Sequence, residues 1–289
     1  MRSSSLFRVA AVDAPGDPFA ESMMRVAVVQ FSPRFGEVDA NLRRTEELIQ
    51  GLDAEVVVLP ELFQTGYLFT RREELPRLAE PLDGPTRDLV TSWARDLDAA
   101  IVYGFAEATP QGCFNSAALV GPEGLLSHYR KIHLFDREKL WFEPGTMGFS
   151  VIEFRGVRMG IMVCFDWRFP EAARSLAFLG ADLIVHPSNL VLPWCPDAMI
   201  TRALENNVFI ATSDRWGVEA KDGVELRFIG RSQVVSPRGE RLATLGEAED
   251  GVIVVDIDPA LARDKQVTEH NHLYGDRSPA LYVGTPLEH

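Results

Sequence analysis

Short apolar runs that stop at a proline, a glycine or a polar residue alternate along this chain with amphipathic helical segments. That alternation is the tightest constraint on its fold, because strand–helix–strand units build sheets with parallel pairs covered by helices. Residues 25–31 (RVAVVQF) read as a first strand, and 39–50 carry Leu42, Thr45, Leu48 and Ile49 at helical spacing. Residues 55–59 (EVVVL) read as a buried strand ended by Pro60, 86–97 as a second helix and 99–105 as a third strand. Two places break this rhythm with hairpins: 114–120 and 125–129 flank Gly121-Pro122-Glu123-Gly124, while 151–154 and 157–163 flank Arg155-Gly156. Beyond them, 170–179 reads as a helix with Pro170 at its start and Gly180 just past its end. Residues 183–186, 208–212, 228–235 and 252–257 read as strands and 196–207 as a helix. The pattern predicts one α/β domain with mixed sheets.

Composition narrows the function classes. A net charge of −13, with no basic run, argues against nucleic acid or an anionic membrane as partner, since both need basic surface. No apolar stretch approaches the ~18 residues that a membrane helix requires. The three cysteines, Cys113, Cys164 and Cys195, stand too far apart for a disulfide framework or a C-x-x-C metal motif, which fits a reducing, cytoplasmic setting. Organised alternation begins only after Met23-Met24, so residues 1–23 read as an N-terminal extension and 24–286 as a single domain. Leu287-Glu288-His289 reads as a tag remnant.

The segment Gly160-Ile161-Met162-Val163-Cys164-Phe165-Asp166-Trp167-Arg168-Phe169-Pro170-Glu171 places a lone cysteine at the end of an apolar strand, with a proline-started helix expected directly after it. A thiol there faces free helix N–H groups that favour negative charge, the setting of a reactive cysteine. Buried free cysteines are more often inert packing residues, so Cys164 needs partners. Glu61 follows the EVVVL strand at the rim where α/β sites form, and Lys131 follows another strand beside Arg130, the obvious solvated charge. Each alone is an ordinary surface residue. Together they form a chemistry: a buried carboxylate that takes a thiol proton, and an ammonium that, with the Phe165 backbone N–H, holds the oxyanion of a tetrahedral intermediate.

These motifs resemble those of the nitrilase, or carbon–nitrogen hydrolase, superfamily. The resemblance is carried by Leu59-Pro60-Glu61-Leu62-Phe63, Tyr129-Arg130-Lys131-Ile132-His133-Leu134 and the Cys164 segment, in that order, and runs from about residue 24 to about residue 257. It implies a four-layer αββα sandwich of two mixed β-sheets. It also implies a triad in which Glu61 is the general base, Lys131 the oxyanion stabiliser and Cys164 the nucleophile, with no metal or organic cofactor. A second glutamate after the lysine is expected near the sulfur; Glu138 sits at the fitting interval, and Glu143, before Pro144-Gly145, competes as a turn residue. Asn189 matches a position bordering the substrate pocket, and Tyr67, Phe69, Trp167, Trp194 and Trp216 are candidate pocket walls. Subunit pairing into a homodimer through helices 170–179 and 196–207 is implied as well. The expected reaction is hydrolysis of a small amide, with an aliphatic nitrile second and an N-carbamoyl amine or amino acid third. An interaction module of the same fold is the non-enzymatic alternative.

Overall fold

Side chains that alternate along the central strands set the layers. In the computed structural model, which describes residues 23–283, Val26, Val28, Val56, Val58, Val102 and Leu119 point to one side of a sheet, into a core shared with Met159, Ile161 and Val185 of a second sheet. Ala27, Val29, Val57, Leu59, Ile101 and Tyr103 point to the other side, against Leu48, Ile49, Val90, Trp93 and Ala94. Those five belong to helices α1 (Val38–Ile49) and α3 (Pro85–Leu97), the latter starting on a proline. A period of two on strands and of 3.6 on helices is all this requires. On the far side, α4 (Pro170–Phe178) and α5 (Cys195–Asn206) cover the second sheet with Ala173, Leu176, Met199 and Ala203. Gly160 lets α4 settle there, since a Cβ at that position would lie 2.6 Å from a methyl of Leu176. The result is the expected αββα sandwich.

Both sheets have six strands. The first runs β14 (Gly251–Ile257), β1 (Met24–Gln30), β2 (Val56–Val58), β3 (Ala100–Thr109), β4 (Gly112–Gly121), β5 (Gly124–Arg130). The second runs β6 (Val151–Phe154), β7 (Val157–Ile161), β8 (Leu183–Ser188), β9 (Phe209–Asp214), β12 (Gln233–Val235), β13 (Arg241–Thr244). Read in these orders, successive pairs in each sheet are antiparallel, parallel, parallel, antiparallel, antiparallel. The two halves therefore share a topology that no repeat in the sequence betrays.

Two sequence expectations are corrected, and several short elements were missed. The strand expected over 228–235 is two strands in different sheets: β11 (Val224–Ile229) pairs with β10 (Trp216–Lys221) in a separate hairpin, and Gly230 and Arg231 turn the chain at φ 61° and 63° before β12. That hairpin, β13, the short helices α2 (Leu75–Leu78) and α6 (Ala260–Arg263) and the ribbon of β15 (Gln266–Thr268) and β16 (Asn271–His272) escaped notice because they are short or polar. Arg130 is not a free surface charge. It pairs through two nitrogens with buried Glu107 at 2.6 and 2.8 Å and lies over the Phe114 ring. Burial would raise the Glu107 carboxyl, but Arg130, His128 and Ser116 bring it down to about 2. The expected extension up to residue 22 and the tag remnant at 287–289 lie outside the described residues.

Candidate active site

Three chain segments converge where the two sheets meet. Glu61 leaves β2 through Leu59 and Pro60, and its backbone lies on Gly104 of β3, where a Cβ would stand 2.6 Å from the Glu61 Cα. Leu62, at φ 49°, turns the chain away immediately afterwards. Lys131 continues β5: its N–H bonds the Asn115 carbonyl of β4 at 2.8 Å, and its own carbonyl accepts the Gly145 N–H at 2.8 Å. Cys164 sits on a sharp corner after β7, itself at φ 42°. The expected helix starts at Pro170 as α4, and a 3-10 turn over Cys164–Arg168 separates it from the sulfur.

The corner is over-determined, as a non-glycine residue at positive φ requires. The Asp166 carboxylate accepts the Val163 N–H at 2.8 Å and the Tyr129 hydroxyl at 2.8 Å and meets His133 Nδ1 at 2.7 Å. From β8, His186 donates through Nε2 to the Cys164 carbonyl at 2.9 Å, and burial lowers its pKa to about 4, so it stays neutral. The corner also leaves the Phe165 N–H in the first turn, where backbone donors lack intrahelical acceptors.

Lys131 is fully buried and places its ammonium 2.8 Å from Glu61 Oε1 and 2.8 Å from Glu138 Oε1. Burial works against that charge, but the facing Cys164 sulfur when ionised, together with Glu138 and Glu61, outweighs it and holds the lysine well above its usual value. Burial raises the Glu61 carboxyl, with Lys131 pulling the other way and Glu138 adding to the rise. The Cys164 thiol is pushed well above the usual thiol range by burial and by the Glu61 charge, against the opposing pull of Lys131. At rest the sulfur is a thiol beside a basic carboxylate and a fixed cation. Three buried oxygens of this centre accept no hydrogen bond among the described residues: Glu61 Oε2, Asn115 Oδ1 and Asn189 Oδ1.

Glu138 lies on a 3-10 turn (Asp136–Leu140), is buried, and accepts the Tyr67 hydroxyl at 2.6 Å besides Lys131. Glu143 is exposed; its N–H bonds the Cys113 carbonyl and its side chain lies over Gly112. Asn189 joins two of the segments, donating to the Glu61 carbonyl at 2.9 Å while its own carbonyl lies 3.7 Å from Cys164 Sγ. Phe165 is partly exposed and packs with Phe135 and Phe169, forming an aromatic rim next to the sulfur. Trp167 is buried in the inter-sheet core beneath the corner, and Phe69 packs on Phe35 and Phe142. Trp194 is exposed ahead of α5, and Trp216 donates its indole N–H to Asp250 at 2.7 Å. A cavity of about 360 Å³ opens one residue beyond Lys131, between Ile132, Leu134, Phe142 and the charged Arg72, Lys139 and Glu143; none of Glu61, Lys131, Glu138 or Cys164 lines it.

Sequence reasoning missed Asn115, which donates to Glu61 Oε1 at 2.7 Å. Its signal was a polar residue, Asn115-Ser116, inside an apolar strand. It also missed the brace that carries Tyr67: buried Glu219 of β10 accepts the Tyr67 and Leu68 N–H groups and pairs with buried Arg215. No cluster of three or more metal-ligating side chains occurs among the described residues.

A buried thiol on a strand-end corner, with a carboxylate–lysine–carboxylate cluster beside it in an αββα sandwich, is the arrangement expected of a carbon–nitrogen hydrolase. A family model described as carbon-nitrogen hydrolase matches residues 25–266. The chain belongs to the carbon–nitrogen hydrolase family and is a hydrolase of the nitrilase superfamily. A nitrilase from Pyrococcus abyssi is 46% identical over 264 residues, covering 90% of this chain and 99% of that protein. An (R)-stereoselective amidase from Pseudomonas sp. is 36% identical over 241 residues, covering 81% and 86%. Among solved structures, a variant of the amidase from Nesterenkonia sp. AN1, showing covalent addition of the acetamide moiety of fluoroacetamide at its active site cysteine, superposes with a TM-score of 0.70 at 28% identity, covering 84% of this chain and 94% of that one.

Proposed function

We propose that this hydrolase cleaves the C–N bond of a small amide through a thioester on Cys164, releasing ammonia and a carboxylic acid. The observation that carries the reading is Lys131 Nζ, held 2.8 Å from both Glu61 and Glu138 in a fully buried cluster with Cys164. Glu61 takes the thiol proton as Sγ adds to the amide carbonyl. Lys131 and the Phe165 N–H hold the oxyanion, a role in which one preorganised donor contributes roughly 10²–10³ in rate. The C–N bond then breaks, and the amine leaves as ammonia with the proton from Glu61. Glu61, again a carboxylate, takes a proton from water as that water attacks the thioester; C–S cleavage frees the acid, and Glu61 returns the proton to sulfur to restore the thiol. Glu138 keeps the ammonium oriented where water is excluded. Asn189 and Tyr67 border the substrate, with the Phe165 rim on its apolar side and Trp167 supporting the floor.

The nitrilase from Pyrococcus abyssi supports a second reading, hydrolysis of an aliphatic nitrile. Sulfur would add to the C≡N carbon to give a thioimidate; one water would displace ammonia to leave the thioester, and a second would hydrolyse that thioester through the same groups. Ammonia release from a panel of aliphatic amides, nitriles and N-carbamoyl amines, with Cys164→Ala as control, tests both. Turnover of amides above nitriles is expected; release that survives Cys164→Ala sinks the mechanism. We also propose a homodimer through α4 and α5, whose surfaces expose Phe178 and Leu204. Light scattering during size-exclusion chromatography tests this, and a monomer at micromolar concentration refutes it.

A further inference from the structure

We propose that Asn115 is a positioning residue that selects which oxygen of Glu61 accepts the Cys164 proton. The inference rests on the reading of Glu61 as the base. Its basis is an asymmetry in one carboxylate. Glu61 Oε1 accepts two hydrogen bonds, from Lys131 Nζ at 2.8 Å and from Asn115 Nδ2 at 2.7 Å. Glu61 Oε2 is equally buried and accepts none among the described residues. A carboxylate oxygen that already holds an ammonium and an amide N–H is a poor proton acceptor, so the proton goes to Oε2.

Lys131 alone does not enforce that choice, because an ammonium is a point charge that either oxygen satisfies. The amide of Asn115 supplies a directed second donor. Asn115 also accepts the Lys131 backbone N–H on its own carbonyl at 2.8 Å. One residue of β4 thus spaces the base from the oxyanion donor: its main chain sets where Lys131 leaves β5, and its side chain pins the Glu61 oxygen that the lysine touches. Glu61 backbone placement is separately secured by Asn189 and Gly104, so removing the Asn115 amide frees carboxylate rotation more than it moves the chain. The same bond also lowers the Glu61 carboxyl, so without it the acid limb of any Glu61-dependent step moves to higher pH.

The test follows iodoacetamide alkylation of Cys164 against pH, read on the Cys164 peptide by mass spectrometry, with amide turnover measured in parallel. Asn115→Ala is expected to slow alkylation about 10- to 100-fold, the size of one bond to a charged group, and to shift its acid limb upward. Asn115→Asp repels Glu61 when ionised but donates its O–H to Oε1 when protonated, so its rate relative to Asn115→Ala should climb on acidification. A uniform loss in both variants with the acid limb in place would mean a packing role and overturn the proposal. Added to Glu61→Gln, Asn115→Ala should cost little more; full additivity also overturns it. Glu61→Gln with wild-type alkylation and turnover would instead refute Glu61 as the base, and the proposal with it.

Discussion

Replacing Lys131 with methionine removes a charge and little volume, and the structure sets the size of the effect. Glu61 Oε1 and Glu138 Oε1 each lie 2.8 Å from the ammonium, so the two oxygens are neighbours with the lysine charge between them. Two carboxylates about 5 Å apart at an effective dielectric near 20 repel by about 3 kcal/mol. Removing one partner of a buried ion cluster typically costs about 3–5 kcal/mol. For a chain of this size each kcal/mol moves the melting temperature by about 2–4 °C, so Lys131→Met should melt about 6–20 °C below the parent at neutral pH. One of the stranded carboxyls must then take a proton, with a folded-state pKa above its unfolded value. Stability from that proton is present at low pH and lost as pH rises through the folded value, so the deficit should shrink on acidification. The parent behaves otherwise: its lysine pKa is raised, so the ammonium stays charged throughout the neutral range. Scanning calorimetry across pH, paired with ammonia release expected to fall by roughly 10²–10³, measures both effects. A variant that melts within about 2 °C of the parent at every pH would refute the cluster as described.

The other expectations concern the same centre. Glu138→Gln should impair acylation strongly and Glu143→Ala by a few-fold at most, because the first carboxylate touches Lys131 and Tyr67 and the second is exposed; steady-state kinetics would show the opposite order if the roles were exchanged. Gly104→Ala should depress turnover without altering any reactive group, since its Cβ would press on the Glu61 backbone; unchanged kinetics would mean that the contact relaxes freely. Alkylation of Cys164 should rise with pH through an acid limb above the ordinary carboxylate range, because burial raises both Glu61 and the thiol; a rate already maximal in mild acid would contradict this. A chain beginning at Met24 should keep its specific activity, as every motif lies beyond that residue, and a large loss would show that residues 1–23 take part.

Much of this protein was legible along the chain because its strongest signals are local. Period-two runs such as 25–31 and 55–59, the proline at the start of α4 and the glycine punctuation of the hairpins each depend on neighbours a few residues away, and they yielded the α/β class and most elements. Glu61, Lys131 and Cys164 were singled out because each stands near a strand end, because together they supply a base, a cation and a thiol, and because their segments resemble the motifs of one family. The sequence could not say that Arg130 is tied to buried Glu107, because that pair spans β3 and β5 across β4, twenty-three residues apart in the chain. Nor did it show that Gly230 and Arg231 split an apparently continuous strand between sheets, since only a left-handed backbone reveals the turn. Asn115 carries no distinctive signal along the chain beyond its polarity within an apolar strand; the register of β4 with β3 and β5 sets it beside Glu61. The Cys164 corner likewise depends on Asp166, Tyr129, His133 and His186, drawn from three segments of the sequence. Periodicity reports which face of an element is apolar; which polar atoms meet across the buried junction of two sheets is decided by tertiary packing, where an unpaired group is costly and a paired one becomes a reagent.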